Sequence, residues 1–174
     1  MKYNYGQIWV ETAIYTLIGL TIIGIILSIA TPEIEKIKER SIISQTRDAL
    51  VILNDEIQKV SQTEGNIKIV EFKITKGKLD INPNGNEINY TLENTKLEFS
   101  EEGQEIKQGD INLTTQKVGK RFNVVLRLYY NNLDLTFNKD NKIKTLHPSS
   151  SSYKIKIENV GFKEQKLNID FNVI

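Results

Sequence analysis

Few residues in this chain have types and spacing that could do chemistry, and the first is Glu11, in "NYGQIWVETAIYTLIGLTIIG". It stands at the mouth of an uncharged apolar run, where a carboxylate is costly unless it reaches the headgroups or finds a cation. Further along, "DINPNGNEINYT" sets Asp80, Asn82 and Asn84 at the first three ligand spacings of a calcium loop, with Gly85 at the turn. The closing bidentate acid is missing, because Thr91 holds its place. An Asn-Gly hairpin turn is therefore the expectation there. His147-Pro148 followed by four serines has no carboxylate or cysteine cluster around it and reads as a solvated loop. Asn89-Tyr90-Thr91 and Asn112-Leu113-Thr114 are glycosylation acceptors by pattern.

Composition narrows the classes further. The chain has 174 residues, a net charge of +1 from 23 basic and 22 acidic residues, no cysteine and one histidine. Mixed charge without a basic block argues against a nucleic-acid partner. Disulfides, thiol nucleophiles and cysteine-ligated metals are out, and one histidine leaves little for zinc or His-based catalysis. No nucleophile, base and orienting group can be assembled, so the expectation is no enzyme, no cofactor and no metal.

The elements that must position Glu11 follow from periodicity. From Thr12 to Thr31 no charge occurs, and these 20 residues make about 30 Å of helix, enough to cross a bilayer core. Lys2 and the amino terminus favour a cytoplasmic start. Beyond Pro32, Ile34, Ile37, Ile43, Thr46, Leu50, Leu53, Ile57 and Val60 recur mostly every three or four residues. That spacing predicts an amphipathic helix over 33–62, continuing the apolar part at 12–31 so that helix runs from 7 to 62. Pro32 with Glu33 and Glu35 behind it predicts a kink or short break at that point. Without regular charges flanking the stripe, docking onto the following domain is favoured over a free coiled coil.

At Gly65 the period changes to two. Ile88, Tyr90 and Leu92 alternate, as do Leu97 with Phe99, Phe122 through Tyr130, Leu133 with Leu135 and Phe137, Tyr153 with Ile155 and Ile157, and Leu167 with Ile169, Phe171 and Val173. Turn signals lie at Lys76-Gly77, Asn84-Gly85, Glu102-Gly103, Gly119-Lys120, Asn131-Asn132 and Asp140-Asn141. Many are too short for a crossover helix, so the sheets are expected to be mainly antiparallel. The fold class is α+β, a long N-terminal hydrophobic helix followed by a β-sandwich of eight or nine strands over 65–174.

A short polar leader, a glycine, an acid five residues later, a long apolar helix and a β-domain together resemble the type IV pilin superfamily. The matching residues are Gly6, Gln7 and Glu11, and a Gln after the glycine is closer to the class III signal sequences of archaeal pilins than to bacterial ones. The resemblance covers the leader and helix. It implies that residues 1–6 are a leader removed by a prepilin-type peptidase between Gly6 and Gln7. It also implies that Pro32 bends the helix, and that the precursor sits in membrane lipid until an assembly platform extracts it into a helical homopolymer. The chain would then be a cell-surface filament subunit. Charge explains the alignment: the ammonium group freed on Gln7 of one copy meets Glu11 of the next. Two opposite charges about 4 Å apart at an effective dielectric of 20 attract by about 4 kcal/mol before desolvation. The competing readings are a monomeric single-span protein displaying an extracytoplasmic binding domain, and a minor pilin or pseudopilin of a secretion system.

Overall fold

The computed structural model describes the backbone of residues 5–163 and 165–174, with side chains from residue 8 onward. The leader residues Met1 to Asn4 lie outside the described residues. A single helix, α1 (Tyr5–Ser61), opens the chain. It runs unbroken through Pro32, so the short break expected there does not form. A proline removes one backbone donor, and here the helix tolerates the loss. The chain divides into two compact units, one ending at Lys38 and the other comprising Glu39–Ile174, so the last 23 residues of α1 belong with the strands.

In the second unit the stripe side chains Ile43, Leu50, Leu53, Ile57 and Val60 are all buried. They share one core with both sheets, as docking requires. Burying one such aliphatic side chain contributes about 2 kcal/mol, which offsets the entropy of holding the helix in place. The helix ends at Ser61, and the turn that follows is pinned to β9: Gly65, at φ +77°, donates its N–H to the Asn159 carbonyl, while the Asn159 side-chain amide donates to the Val60 carbonyl at 3.1 Å. The bond to Val60 satisfies one of the carbonyls that a helix C-terminus leaves open.

Ten strands follow among the described residues. A four-stranded sheet contains β1 (Ile67–Phe72), β9 (Tyr153–Lys163), β10 (Lys166–Val173) and β7 (Leu133–Phe137), in that spatial order. A six-stranded sheet runs β4 (Glu105–Gln108), β5 (Ile111–Val118), β6 (Arg121–Tyr129), β3 (Glu87–Thr95), β2 (Lys78–Asn82) and β8 (Lys144–Leu146). Every pairing is antiparallel except β7 with β10. The class is α+β, a long N-terminal helix followed by two mostly antiparallel sheets.

Two local expectations need correction. Leu97 and Phe99 alternate but form no strand: the chain from 96 to 104 is a loop. Side chains replace the ladder there, with Ser100 N–H donating to Thr115 Oγ1 at 3.0 Å and Thr115 N–H to Ser100 Oγ at 3.1 Å. The Asn84-Gly85 turn is present, but as a short 3-10 helix over Pro83–Gly85 in which Asn86, not Gly85, takes the left-handed conformation, at φ 48°. Asparagine tolerates that region, and the Asn86 side chain also accepts from Leu135 N–H at 2.8 Å.

Candidate functional site

The apolar part of α1 is exposed around its whole circumference. Trp9, Tyr15, Leu17, Leu20, Ile26 and Ile29 each leave more than half their surface open. An amphipathic helix on a soluble core shows one apolar stripe, whereas one apolar on all sides requires lipid or other apolar helices around it. Its polar side chains are adapted to such surroundings. Thr12, Thr16, Thr21 and Thr31 donate to the carbonyls of Ile8, Thr12, Leu17 and Leu27, one turn back, at 2.7–2.9 Å, and Ser28 donates to that of Ile25. Each hydroxyl is satisfied within the helix, so none needs water. This segment is long and apolar enough to cross a membrane, which is compatible with membrane anchoring.

Glu11 is exposed on this helix, one turn after Gln7, and the expected cleavage point between Gly6 and Gln7 falls in the first turns of α1, where the backbone alone is described, while Met1 to Asn4 lie outside the described residues. Gly19 and Gly24 have open space where a side chain would begin, so close approach there could come only from another molecule. Trp9 is 80% exposed and Tyr15 72%, consistent with an interfacial belt or with packing against neighbours.

The second unit holds the charged group that sequence reading missed. Glu39 occupies the stripe position one turn before Ile43, and its side chain is only 7% exposed. One carboxylate oxygen accepts from Lys76 Nζ at 2.8 Å. The other accepts from Thr95 Oγ1 at 2.5 Å and from Lys96 N–H at 2.9 Å. Burial by itself would raise its pKa, but the hydrogen bonds from Lys76, Thr95 and the Lys96 backbone, with the Lys76 charge, hold the carboxyl below the ordinary range. An acid in an apolar stripe was the available signal. A second polar node lies lower on the helix, where buried Asn54 donates to Asp110 Oδ2 at 2.9 Å and accepts from Tyr130 Oη at 3.0 Å. Burial, then the Asp110 charge, push the Tyr130 phenol well above its usual value.

The remaining sequence candidates separate. Asn89 and Asn112 both sit opposite Arg127, on β3 and β5. The Asn89 side-chain oxygen accepts from Arg127 Nε at 2.9 Å, whereas the Asn112 amide faces an open cleft. Asp80 accepts from Thr145 Oγ1 on the neighbouring β8, and Asn82 donates to Glu87 at 2.9 Å and accepts from Gly85 N–H, so Asp80 and Asn82 are engaged within the sheet and its turn. Among the described residues no group of three His, Cys, Asp or Glu converges as metal ligands would. His147 is exposed, and its carbonyl accepts from Tyr153 Oη at 2.9 Å.

No protein-family model, curated protein or solved structure matches this chain.

Proposed function

We propose that the chain is a pilin-like structural subunit of a surface filament. It would be inserted in the membrane as a precursor, trimmed after Gly6 and assembled through the helix that begins at Gln7. One observation carries this reading: an acid, Glu11, opens a helical segment that is apolar on every face, and the same helix ends built into a folded β unit. A segment of that kind has two environments open to it, lipid and a bundle of its own kind, and a pilin-like subunit uses both in turn. In lipid, Glu11 lies near the entrance of the apolar run. In a bundle, a newly freed Gln7 ammonium on an adjacent copy gives it a cationic partner and fixes the stagger between helices.

Chemically the helix supplies adhesion and the ion pair supplies alignment, while the sheets supply an outer surface. The deciding experiment is intact mass and N-terminal sequencing of the membrane-extracted protein from cells expressing a prepilin-type peptidase. A mature chain starting at Gln7 supports the proposal. An intact chain starting at Met1 overturns it in favour of a single-span anchor that displays the β unit.

A further inference from the structure

A cleft of about 380 Å³ opens where the helix residues Asn54 and Gln58 approach β5, the end of β6 and Asn131. That volume is within the range of roughly 300–1,000 Å³ found for small-molecule sites. A second, smaller cleft of about 170 Å³, bordered by Val51, Asp55 and Gln108, shares Asn54, Asp110 and Leu128 with it. The two flank the Asn54–Asp110 hydrogen bond.

The floor between them is rigid for identifiable reasons. Asn54 is 6% exposed and has both ends of its amide engaged, by Asp110 and by Tyr130. Asp110 reaches it because Gln108 and Ile111 pair directly across a two-residue turn whose first residue, Gly109, has φ +64°. A turn with glycine at that position matches the twist of the strands it joins.

The wall is chemically distinctive. Gln58, Asn112 and Asn131 contribute three neutral side-chain amides that make no hydrogen bond among the described residues. Tyr129, 43% exposed, stands beside them and is oriented by Arg127, whose guanidinium lies 5.5 Å from the ring centroid and donates to the phenol oxygen at 2.7 Å. A planar amide offers a donor and an acceptor side by side, which complements the adjacent hydroxyls of a sugar, and an aromatic ring complements its C–H face. The one acid, Asp110, and the one base, Lys107, cancel in charge, so the cleft selects for hydroxyl groups and not for ions.

We propose that this cleft binds a neutral saccharide of one or two units through Gln58, Asn112, Asn131 and Tyr129. The site lies entirely within the second unit and does not depend on whether the chain polymerises.

The test uses the full chain, produced in a host without N-glycosylation and held in a zwitterionic detergent free of sugar headgroups. Saturation-transfer NMR is recorded with lactose, maltose and N,N′-diacetylchitobiose as probes. Transfer from the protein to at least one of them is expected, with dissociation constants in the millimolar range typical of few-contact sugar sites. The paired substitution Gln58→Ala and Asn131→Ala should weaken it at least tenfold, since both side chains are exposed and hold no other part of the fold. An unchanged unfolding midpoint in the double variant keeps that loss assignable to the cleft. No transfer to any of the three probes overturns the proposal, as does binding that survives the double substitution.

Discussion

The buried carboxylate of Glu39 accepts the hydroxyl of Thr95, 56 residues away, at 2.5 Å. This bond ties the helix to the end of β3 at the point where the 96–104 loop leaves the sheet. Three donors converge on one acid, and two of them, the Thr95 hydroxyl and the Lys96 amide, would be left short of a partner without it.

Replacing Glu39 with Ala should therefore destabilise the β unit by about 3 kcal/mol, the scale of a charge-assisted bond lost together with the desolvation cost of its orphaned partners. The Lys76 ion pair is a smaller part, since that side chain is 44% exposed. Urea denaturation of the detergent-solubilised protein measures the effect.

The same group sets a pH dependence. Its folded pKa is depressed, so its contribution is fully present above the unfolded value of about 4.5 and is lost as pH falls through the folded value. Wild type and Glu39→Gln should thus differ most near neutral pH and converge in acid. A difference that stays constant from pH 7 down to 3 would refute the assignment.

At alkaline pH the sign reverses. The Tyr90 phenol is pushed up to about 12, first by burial, and Tyr130 is raised by burial and by Asp110. The unfolded chain loses those protons first, so stability should fall as pH rises past about 10, the ordinary tyrosine value. Tyr130→Phe should flatten that fall while costing about 1–2 kcal/mol at neutral pH, because Asn54 Oδ1 is left without its donor.

Gly77 and Gly103 share a left-handed backbone, at φ +79° and +74°, but not their surroundings. A Cβ at Gly77 would lie 2.4 Å from the Thr91 carbonyl oxygen, whereas none within 4 Å meets one at Gly103. Gly103→Ala should cost about 1 kcal/mol from backbone strain alone. Gly77→Ala should cost several times as much, because a backbone atom must move. Thermal unfolding midpoints of the two variants make the comparison.

Under the proposed filament role, Glu11→Ala should leave the β unit folded and the precursor inserted, yet impair incorporation into fibres. Sedimentation of sheared filaments, with circular dichroism of the extracted protein as the folding control, reads both halves. Normal yields of fibres from this variant would contradict the role given to the carboxylate in setting register.

The sequence by itself determined the features that depend on neighbours along the chain. Twenty uncharged residues before Pro32 specify an apolar helix, the stripe from Ile43 to Val60 specifies its buried face, and the alternation in β3, β6, β7, β9 and β10 specifies half-buried strands. Strands without a clean one-sided pattern were not legible. In β1, Ile67 and Ile69 face outward while Val70 and Phe72 face inward, so the alternation is masked. In β5 the third inward residue is Thr115, which the core accepts because Ser100 satisfies it. The tertiary structure alone decided the long-range choices: the parallel seat of β7 beside β10, the loop at Leu97 and Phe99, and the meeting of Glu39 with Thr95 or Asn54 with Asp110 and Tyr130. A helix or strand repeats its pattern every few residues, but a hydrogen bond between residues 56 or 76 positions apart leaves no periodic trace. Only the shared core brings such partners within reach.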